Sequence, residues 1–466
     1  MKGWTGAVLV AAAAFGCVPK DAGYQDARRT VASRTGNDVR WHAVDGGGET
    51  ARRTQVLLSA PLTVDAAVQI ALLNSAEVQA AFESIGVARA ELVSALALPN
   101  PELEGAVLYH LDRDESPKLS LRAKLSLSRL LFLPWKNGAA SAELDAASAG
   151  VAGEVLDLAF AVREAFYEHQ ADTQLVELSR SVARGARASY EAAQRIHAAG
   201  NMTDLDLANE QALYEQARLD LAQGESELLA SHERLAALLG IWGKDAAFRV
   251  AGRLADPPEV GPEVRDLERQ ALARSLDLSI ARKRFGAAAR QRNVAQAEGL
   301  LPDLRAGAEA EREEGDWKVG PVAELELPLF YQGQGEVAAA EAGMRRARQR
   351  HHQLSTTIRA AARASASRLL AARERATYIK TVLLPLRARI VDETQLAYNA
   401  MSVGVFQLLE AKRDQIQAGR SYVEALRSYW TARAAVDQLL RGRLPSRWAS
   451  AREPAPETES RPRSTH

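Results

Sequence analysis

The chain has a single cysteine, Cys17, in 466 residues. A disulfide framework is thereby excluded, and so is a cysteine-rich metal site. Aromatic residues are scarce, at 6% of a composition that is 47% hydrophobic. The apolar content comes largely from Ala and Leu, both strong helix formers, so long helices are the first expectation. An excess of charge of either sign is missing, because 59 Lys and Arg face 59 Asp and Glu. No basic footprint for a nucleic acid partner exists. The methionines, Met1, Met202, Met344 and Met401, are too few and too dispersed for a copper-handling ladder. After the first 17 residues there is no run of ~20 apolar residues, so no transmembrane helix is readable. A β-barrel span is left open by that absence.

Catalytic signatures are missing too: there is no Walker loop, no HExxH and no GxSxG. The expectation is a protein that is not an enzyme, with no catalytic residues, no cofactor and no metal site. The histidines are scattered apart from His351-His352. Adjacent helical residues point about 100° apart, so that pair does not chelate as a unit. Asp204, Asp206 and Glu210 lack the glycine and the spacing of a calcium loop.

What is present begins at the N-terminus. Lys2 precedes an apolar run from Ala7 to Phe15, and Gly16-Cys17 follows. A charged start, a short apolar core and a small residue at the end are the parts of a secretory signal. The segment resembles a bacterial lipoprotein signal, which implies cleavage before Cys17, acylation of Cys17 and a lipid anchor. Residues 1–17 are therefore expected to be a signal peptide, and 18–61, with Gly46-Gly47-Gly48, an extended arm. At 443–466 the composition shifts to Pro, Ser, Arg and Glu, the mark of a disordered tail.

Between these ends the chain repeats itself. Residues 62–240 and 263–442 each read as helix, strand hairpin, very long helix, short break and helix, joined by a linker at 241–262. "SALALPNPELEG" (94–105) matches "AEGLLPDLRAG" (297–307), and "LFLPWKNGAASAELDAA" (131–147) matches "LELPLFYQGQGEVAAAEA" (325–342). "HAAGNMTDLDLANEQ" (197–211) matches "YNAMSVGVFQLLEAK" (398–412), so interhelical tips are expected near 200 and near 401–404. The first helix is expected over about 63–97. Pro99, Pro134, Pro302 and Pro328 are expected at helix–strand junctions, where a missing N–H is tolerated.

Strand hairpins are expected at about 101–128 and 303–328. From Lys118 to Leu127 the sequence alternates strictly, with Leu119, Leu121, Ala123, Leu125 and Leu127 on one face. Lys118, Ser120, Arg122, Lys124 and Ser126 take the other. Leu304, Ala306, Ala308 and Ala310 alternate with Arg305, Gly307, Glu309 and Glu311. The long helices, about 138–198 and 334–399, would each run roughly 90 Å. No single globular domain needs that length. A secreted coiled-coil rod or a periplasmic adaptor is the competing reading, and a rod leaves two alternating hairpins unexplained.

Four strands cannot close a membrane barrel, and an open edge in lipid leaves unpaired backbone groups. Chains would have to share one barrel. Two copies give eight strands and a filled interior; three give twelve and a lumen. A conduit therefore favours a homotrimer.

In "LTVDAAVQIALLNSAEVQAA" (62–81), "LPNPEL" (98–103), the strand pairs, the LP pairs at 133–134 and 327–328 and the doubled tip segments, the chain resembles the TolC family of outer-membrane efflux proteins. The likeness spans about residues 62–441. It implies an α+β membrane protein, internally repeated. Four β-strands per chain would enter a shared twelve-stranded trimeric barrel in the bacterial outer membrane, with a long α-helical tunnel in the periplasm. It implies a passive export duct of a tripartite efflux or type I secretion system, with outer-membrane lipid, a periplasmic adaptor and an inner-membrane transporter as partners and no nucleic acid. Gly200, Asn201, Thr203, Asp204, Met401, Ser402 and Gly404 are then the adaptor-docking tips. Asp206, Glu210, Gln407 and Glu410 are candidates for the lumen or its periplasmic aperture. Met401 stands where the family has Gly, and Gly404 is available for the turn.

Overall fold

The computed structural model describes residues 21, 23–41, 47–109, 117–261, 263–301, 303–313 and 316–451. Cys17 and the signal segment lie outside the described residues, as do Pro302 and the tail beyond residue 451.

The first repeat runs α3 (Val64–Asn74), α4 (Ala76–Leu96), β1 (Glu102–Leu108), β2 (Lys118–Ser126), α5 (Leu127–Ala198) and α6 (Asp204–Leu239). Two shorter helices precede it, α1 (Tyr24–Thr35) and α2 (Gly47–Leu58). The second repeat runs α7 (Leu267–Arg274), α8 (Leu276–Leu300), β3 (Asp303–Glu313), β4 (Asp316–Glu326), α9 (Gln334–Tyr378), α10 (Leu384–Asn399) and α11 (Val405–Leu440). A π-helical turn, Ile379–Leu383, joins α9 to α10. Short 3-10 turns stand at Gly243–Ala246 and Ser446–Ala451. Among the described residues, no helix is long and apolar enough to cross a membrane.

The strands form one antiparallel sheet in the order β1-β2-β3-β4. Leu121 pairs with Gly105 on one side and Ala310 on the other. The seam between the repeats is β2–β3, where a Cβ at Gly307 would collide with the Ala123 carbonyl oxygen. Only glycine lets the two backbones approach there.

Two compact units make up the chain. Of the described residues, one holds those within 21–29, 81–151 and 278–354; the other holds those within 30–80, 152–277 and 355–451. The strand-bearing unit buries Tyr24 against Phe82, with ring centroids 5.2 Å apart. The helical unit buries Ala67, Val68 and Ile70 to Leu73 of α3, together with Val162, Leu235 and Leu239. Each Val, Leu or Ile among them contributes about 1.5–3 kcal/mol of burial.

Several expectations are corrected. The arm at 18–61 is not extended throughout, because it carries α1 and α2. Tyr24 and Val31 of α1 are core residues, and that burial supplies the stability a polar segment lacks by itself. The helix expected over 63–97 breaks at Ser75, whose backbone is extended (φ −61°, ψ 122°). The α6 cap Gly240 presses on this break so closely that a Cβ would stand 2.9 Å from the Asn74 carbonyl oxygen. Pro134 is not at a junction but inside α5, which begins at Leu127 directly after β2. As the eighth residue of that helix, the proline removes one intrahelical hydrogen bond and its ring crowds the Leu130 carbonyl. The expected tail at 443–466 is ordered at its start: Arg443 and Leu444 are buried.

The reason is a buried ion triad. Arg443 pairs with both Asp157 and Asp277, its Nε standing 3.1 Å from Asp157 Oδ1. The Leu444 amide donates to Asp277 Oδ2 at 2.8 Å. A Cβ at Gly153 would stand 2.5 Å from Arg443 Nη1, so glycine opens the seat for the guanidinium.

Candidate functional site

The sheet is amphipathic, although Arg312, paired with Leu119 and Trp317, lies on its apolar face and Leu108 and Val322 lie on its charged face. Residues paired across an antiparallel ladder share a face. One face carries Leu103 and Val107 of β1, Leu119, Leu121 and Leu125 of β2, Leu304, Ala306, Ala308 and Ala310 of β3, and Trp317, Val319, Ala323 and Leu325 of β4. The other carries Glu102 and Glu104; Lys118, Arg122 and Lys124; Asp303, Arg305, Glu309 and Glu311; and Asp316, Lys318, Glu324 and Glu326. Lys124 Nζ lies 2.8 Å from Glu324 and 3.4 Å from Glu104, and Arg122 Nε lies 2.7 Å from Glu309. Lys118 pairs with Glu311. Among the described side chains, eight carboxylates face five bases, so the polar face keeps an acid excess after its ion pairs are counted.

Leu103 is 80% exposed and Val319 74%, although both belong to the apolar face. An apolar sheet face left bare in one chain needs a cover of lipid or protein. Aromatic residues mark both ends of the strands. Tyr109 and Trp317 sit at the hairpin end, while Trp135, Phe330 and Tyr331 sit where the strands meet their helices. The sequence reading passed over these rings. Aromatic residues just outside an alternating strand are the signal that would have found them.

The two tips are equivalent in backbone but not in sequence. After α5, the Gly200 amide donates to the His197 carbonyl at 2.8 Å and the Asn201 amide to Ile196 at 3.1 Å. After α10, the Met401 amide donates to Tyr398 and the Ser402 amide to Ala397, each at 2.9 Å. Both are helix endings closed by one left-handed residue. Gly200 takes it at φ +78° and Met401 at φ +57°. Gly404 does not supply that turn: its backbone is extended (φ −81°, ψ 168°) and it caps α11 without a side-chain bond. Its counterpart Thr203 caps α6 through the Asp206 amide at 3.1 Å. His197 Nε2 lies 2.7 Å from Asp204 Oδ1 across the first tip. Asn201, Thr203, Asp204, Met401, Ser402 and Gly404 are all exposed. So are Leu205 and Phe406, one step into each following helix, at 70% and 45%. Their equivalence in the repeat was legible and went unread.

The lumen candidates separate. Gln407 and Glu410 are exposed, and Asp206 is half-buried. Glu210 is corrected: it is 4% exposed and accepts from Ser189 Oγ at 2.8 Å, so it is a buried contact between α5 and α6. Its spacing from Asp206 put the two acids on one helix face, but that face turns inward by Glu210.

Two histidines treated as scattered are brought together. His169 of α5 and His232 of α6 lie with ring centroids 5.3 Å apart, and His232 stacks on Phe248 at 4.4 Å. His169 Nδ1 is 3.0 Å from Ser231 Oγ, and His232 Nε2 is 2.8 Å from the Ala246 carbonyl oxygen. Burial, and then the neighbouring His232, push His169 down to about 4. The pair lies at nearly equal chain distance before and after Gly200, so counting outward from the tip would have found it. No group of three or more His, Cys, Asp and Glu placed to hold a metal occurs among the described residues.

Residues 251–261 cross the helices as a strap. Gln170 Nε2 donates to the Ala251 carbonyl at 2.7 Å and Trp430 Nε1 to that of Ala255 at 2.8 Å. Leu254 is buried with Ala171, Ala376, Ile379, Ala425 and Leu426. Asp256 accepts from both Lys380 Nζ and Tyr422 Oη. These two bonds, Lys380 first, hold its carboxyl below the usual carboxylate range.

A doubled unit of helices and strand hairpin, with one sheet face apolar and the other charged, defines the fold class, that of the outer-membrane efflux channels. Residues 67–241 match the family described as outer membrane efflux protein. The cobalt-zinc-cadmium resistance protein CzcC of Cupriavidus metallidurans is 24% identical over 387 residues, covering 82% of this chain and 90% of that protein. A membrane protein from Pseudomonas aeruginosa superposes with a TM-score of 0.71 at 17% identity, over 82% of this chain and 90% of the other. The outer membrane protein VceC from Vibrio cholerae gives 0.67 at 17% identity, over 82% and 96%. By family model, curated relative and fold alike, the chain is similar to the TolC-like outer-membrane efflux proteins, a family of channel proteins.

Proposed function

We propose that three copies of this chain close one twelve-stranded barrel in the outer membrane and serve as the passive exit duct of a tripartite efflux system. A periplasmic adaptor and an inner-membrane pump would deliver the cargo. The observation that carries this is the sheet itself. Its apolar face is bare, its other face is charged, and β1 and β4 are its outer strands. Sharing a closed barrel would pair both outer strands and give the apolar face lipid. A rod or an adaptor offers the bare face no cover.

The exposed tips are the proposed docking surface for the adaptor, and Glu410 with Gln407 the proposed aperture. Cys17 is the proposed site of acylation, anchoring the chain beside its barrel. The acid excess of the polar face suits cationic cargo, as does the likeness to a cobalt-zinc-cadmium resistance protein. The pump would make the finer selection.

Electrophoresis of outer-membrane fractions before and after heating tests the assembly. A large species that collapses on boiling to a monomer slightly lighter than the 50.4 kDa uncleaved chain is expected. A monomer recovered from the periplasm would remove the proposal. Mass spectrometry of the mature N-terminus decides the lipid, and an unmodified terminus elsewhere refutes it.

A further inference from the structure

The second long helix is broken where the first is not. Leu384 donates its amide to the Ile379 carbonyl, five residues back rather than four. The cause is Pro385, which has no N–H and whose ring would strike the carbonyl of Thr381 in a regular helix. The extra residue in the turn relieves that clash. The equivalent stretch of α5 is uninterrupted helix. Single π turns mark positions where a helix can bend.

The strap meets the helix at this turn. Lys380, inside it, and Tyr422, on the facing α11, converge on Asp256. The strap is also held on α5, where Arg253 Nη2 stands 2.5 Å from Glu177 Oε2. Arg420, next to this level, reaches Asp220 of α6 at 3.1 Å and Ser179 of α5 at 3.2 Å. Towards the tip the ties stop. Among the described residues, no hydrogen bond or ion pair joins 384–417 to α5 or α6. Arg387–Asp414, at 2.6 Å, closes the hairpin on itself.

We propose that the turn at Ile379–Leu383 is a hinge for the α10–α11 hairpin, and that Asp256 is the pin that holds the hairpin at rest. The hairpin would swing as one body, kept intact by Arg387–Asp414. The pin sits on the strap between the repeats, so whatever shifts the strap shifts the hairpin. Control of an aperture by this motion rests on the duct reading above; the hinge does not.

Hydrogen exchange of the full-length protein in detergent tests it. In Asp256→Ala, amides of 384–421 should exchange roughly tenfold faster, the loss of one charge-assisted contact. Segments 152–198 and 204–239 should be unchanged. Tyr422→Phe should give a smaller rise, and Pro385→Ala, which restores the missing N–H, should slow exchange around 379–385. Unchanged exchange in 384–421, or an equal rise in every helix, overturns the hinge. Single-channel conductance in planar bilayers should also rise in Asp256→Ala. Faster exchange with unchanged conductance would keep the hinge and remove its link to an aperture.

Discussion

Met401 occupies a conformation that costs a residue with a Cβ about 1–2 kcal/mol. It is 94% exposed, so packing returns little of that cost. Met401→Gly should stabilise the second tip by about 1 kcal/mol or less, because glycine gives back part of the gain as chain entropy. Slower amide exchange over 396–404 would show it, and faster exchange would contradict the strain. Arg443 is the opposite case. Its side chain is 6% exposed between Asp157 and Asp277. Arg443→Met should lower unfolding stability by about 3–5 kcal/mol, since two carboxylates lose their counter-charge and one of them is fully buried. Denaturant titration of the detergent-solubilised protein measures this, and a midpoint shift near zero would rule it out. The sequence marks Met401 as a tip residue where glycine is expected, but gives the turn to Gly404, and it places Arg443 in a stretch whose composition suggests disorder.

At the scale of elements, β2 sets the clearest test. Arg in place of Leu121, on the apolar face, should cost about 2–4 kcal/mol near the middle of a bilayer. Arg at Ser120, on the charged face, should cost far less, and equal losses of assembled oligomer would sink the assignment of faces. The α5–α6 pair carries a pH dependence through His169. Its folded value, about 4, lies below the ordinary histidine value of 6.5. The unfolded chain therefore binds the extra proton between those values, so stability is full above about 6.5 and is lost as the pH drops through that window. Above about 6.5 the group is neutral in both states and contributes no pH dependence. Melting temperatures at pH 7.5 and 5 should differ less in His169→Gln than in the parent. The strands and tips were legible because period-2 alternation and a repeated break are local signals. The π turn was not, although Pro385 was visible, because a proline alone does not say whether a helix ends or bends.

For the whole molecule, the paired tips are expected to meet the adaptor. Asn201→Trp and Ser402→Trp should abolish efflux while a normal oligomer still forms, since neither side chain is buried. Wild-type efflux in both would remove the docking claim. Thr203 is less suitable for this test because it also caps α6. Glu410→Ala should raise leak conductance if a ring of these acids narrows the entrance, and an unchanged conductance would remove that role.

By itself the sequence determined the four strands, the long helices and the two tips, but not the helices before the first repeat. Alternation of Leu with Lys, Arg and Ser from Lys118 to Leu127 can satisfy only a two-faced strand. Two matched halves can satisfy only a doubled architecture. Only the tertiary structure decided which residues from distant parts of the chain share a site. The pairing of β2 with β3 joins residues some 190 positions apart, as in Leu121 with Ala310. The seat of Arg443 depends on helices from both repeats, and Glu210 was turned inward by the α5–α6 contact rather than by anything in its own neighbourhood. The physical reason is that periodicity reports which face of an element is apolar. It does not report what that face will meet.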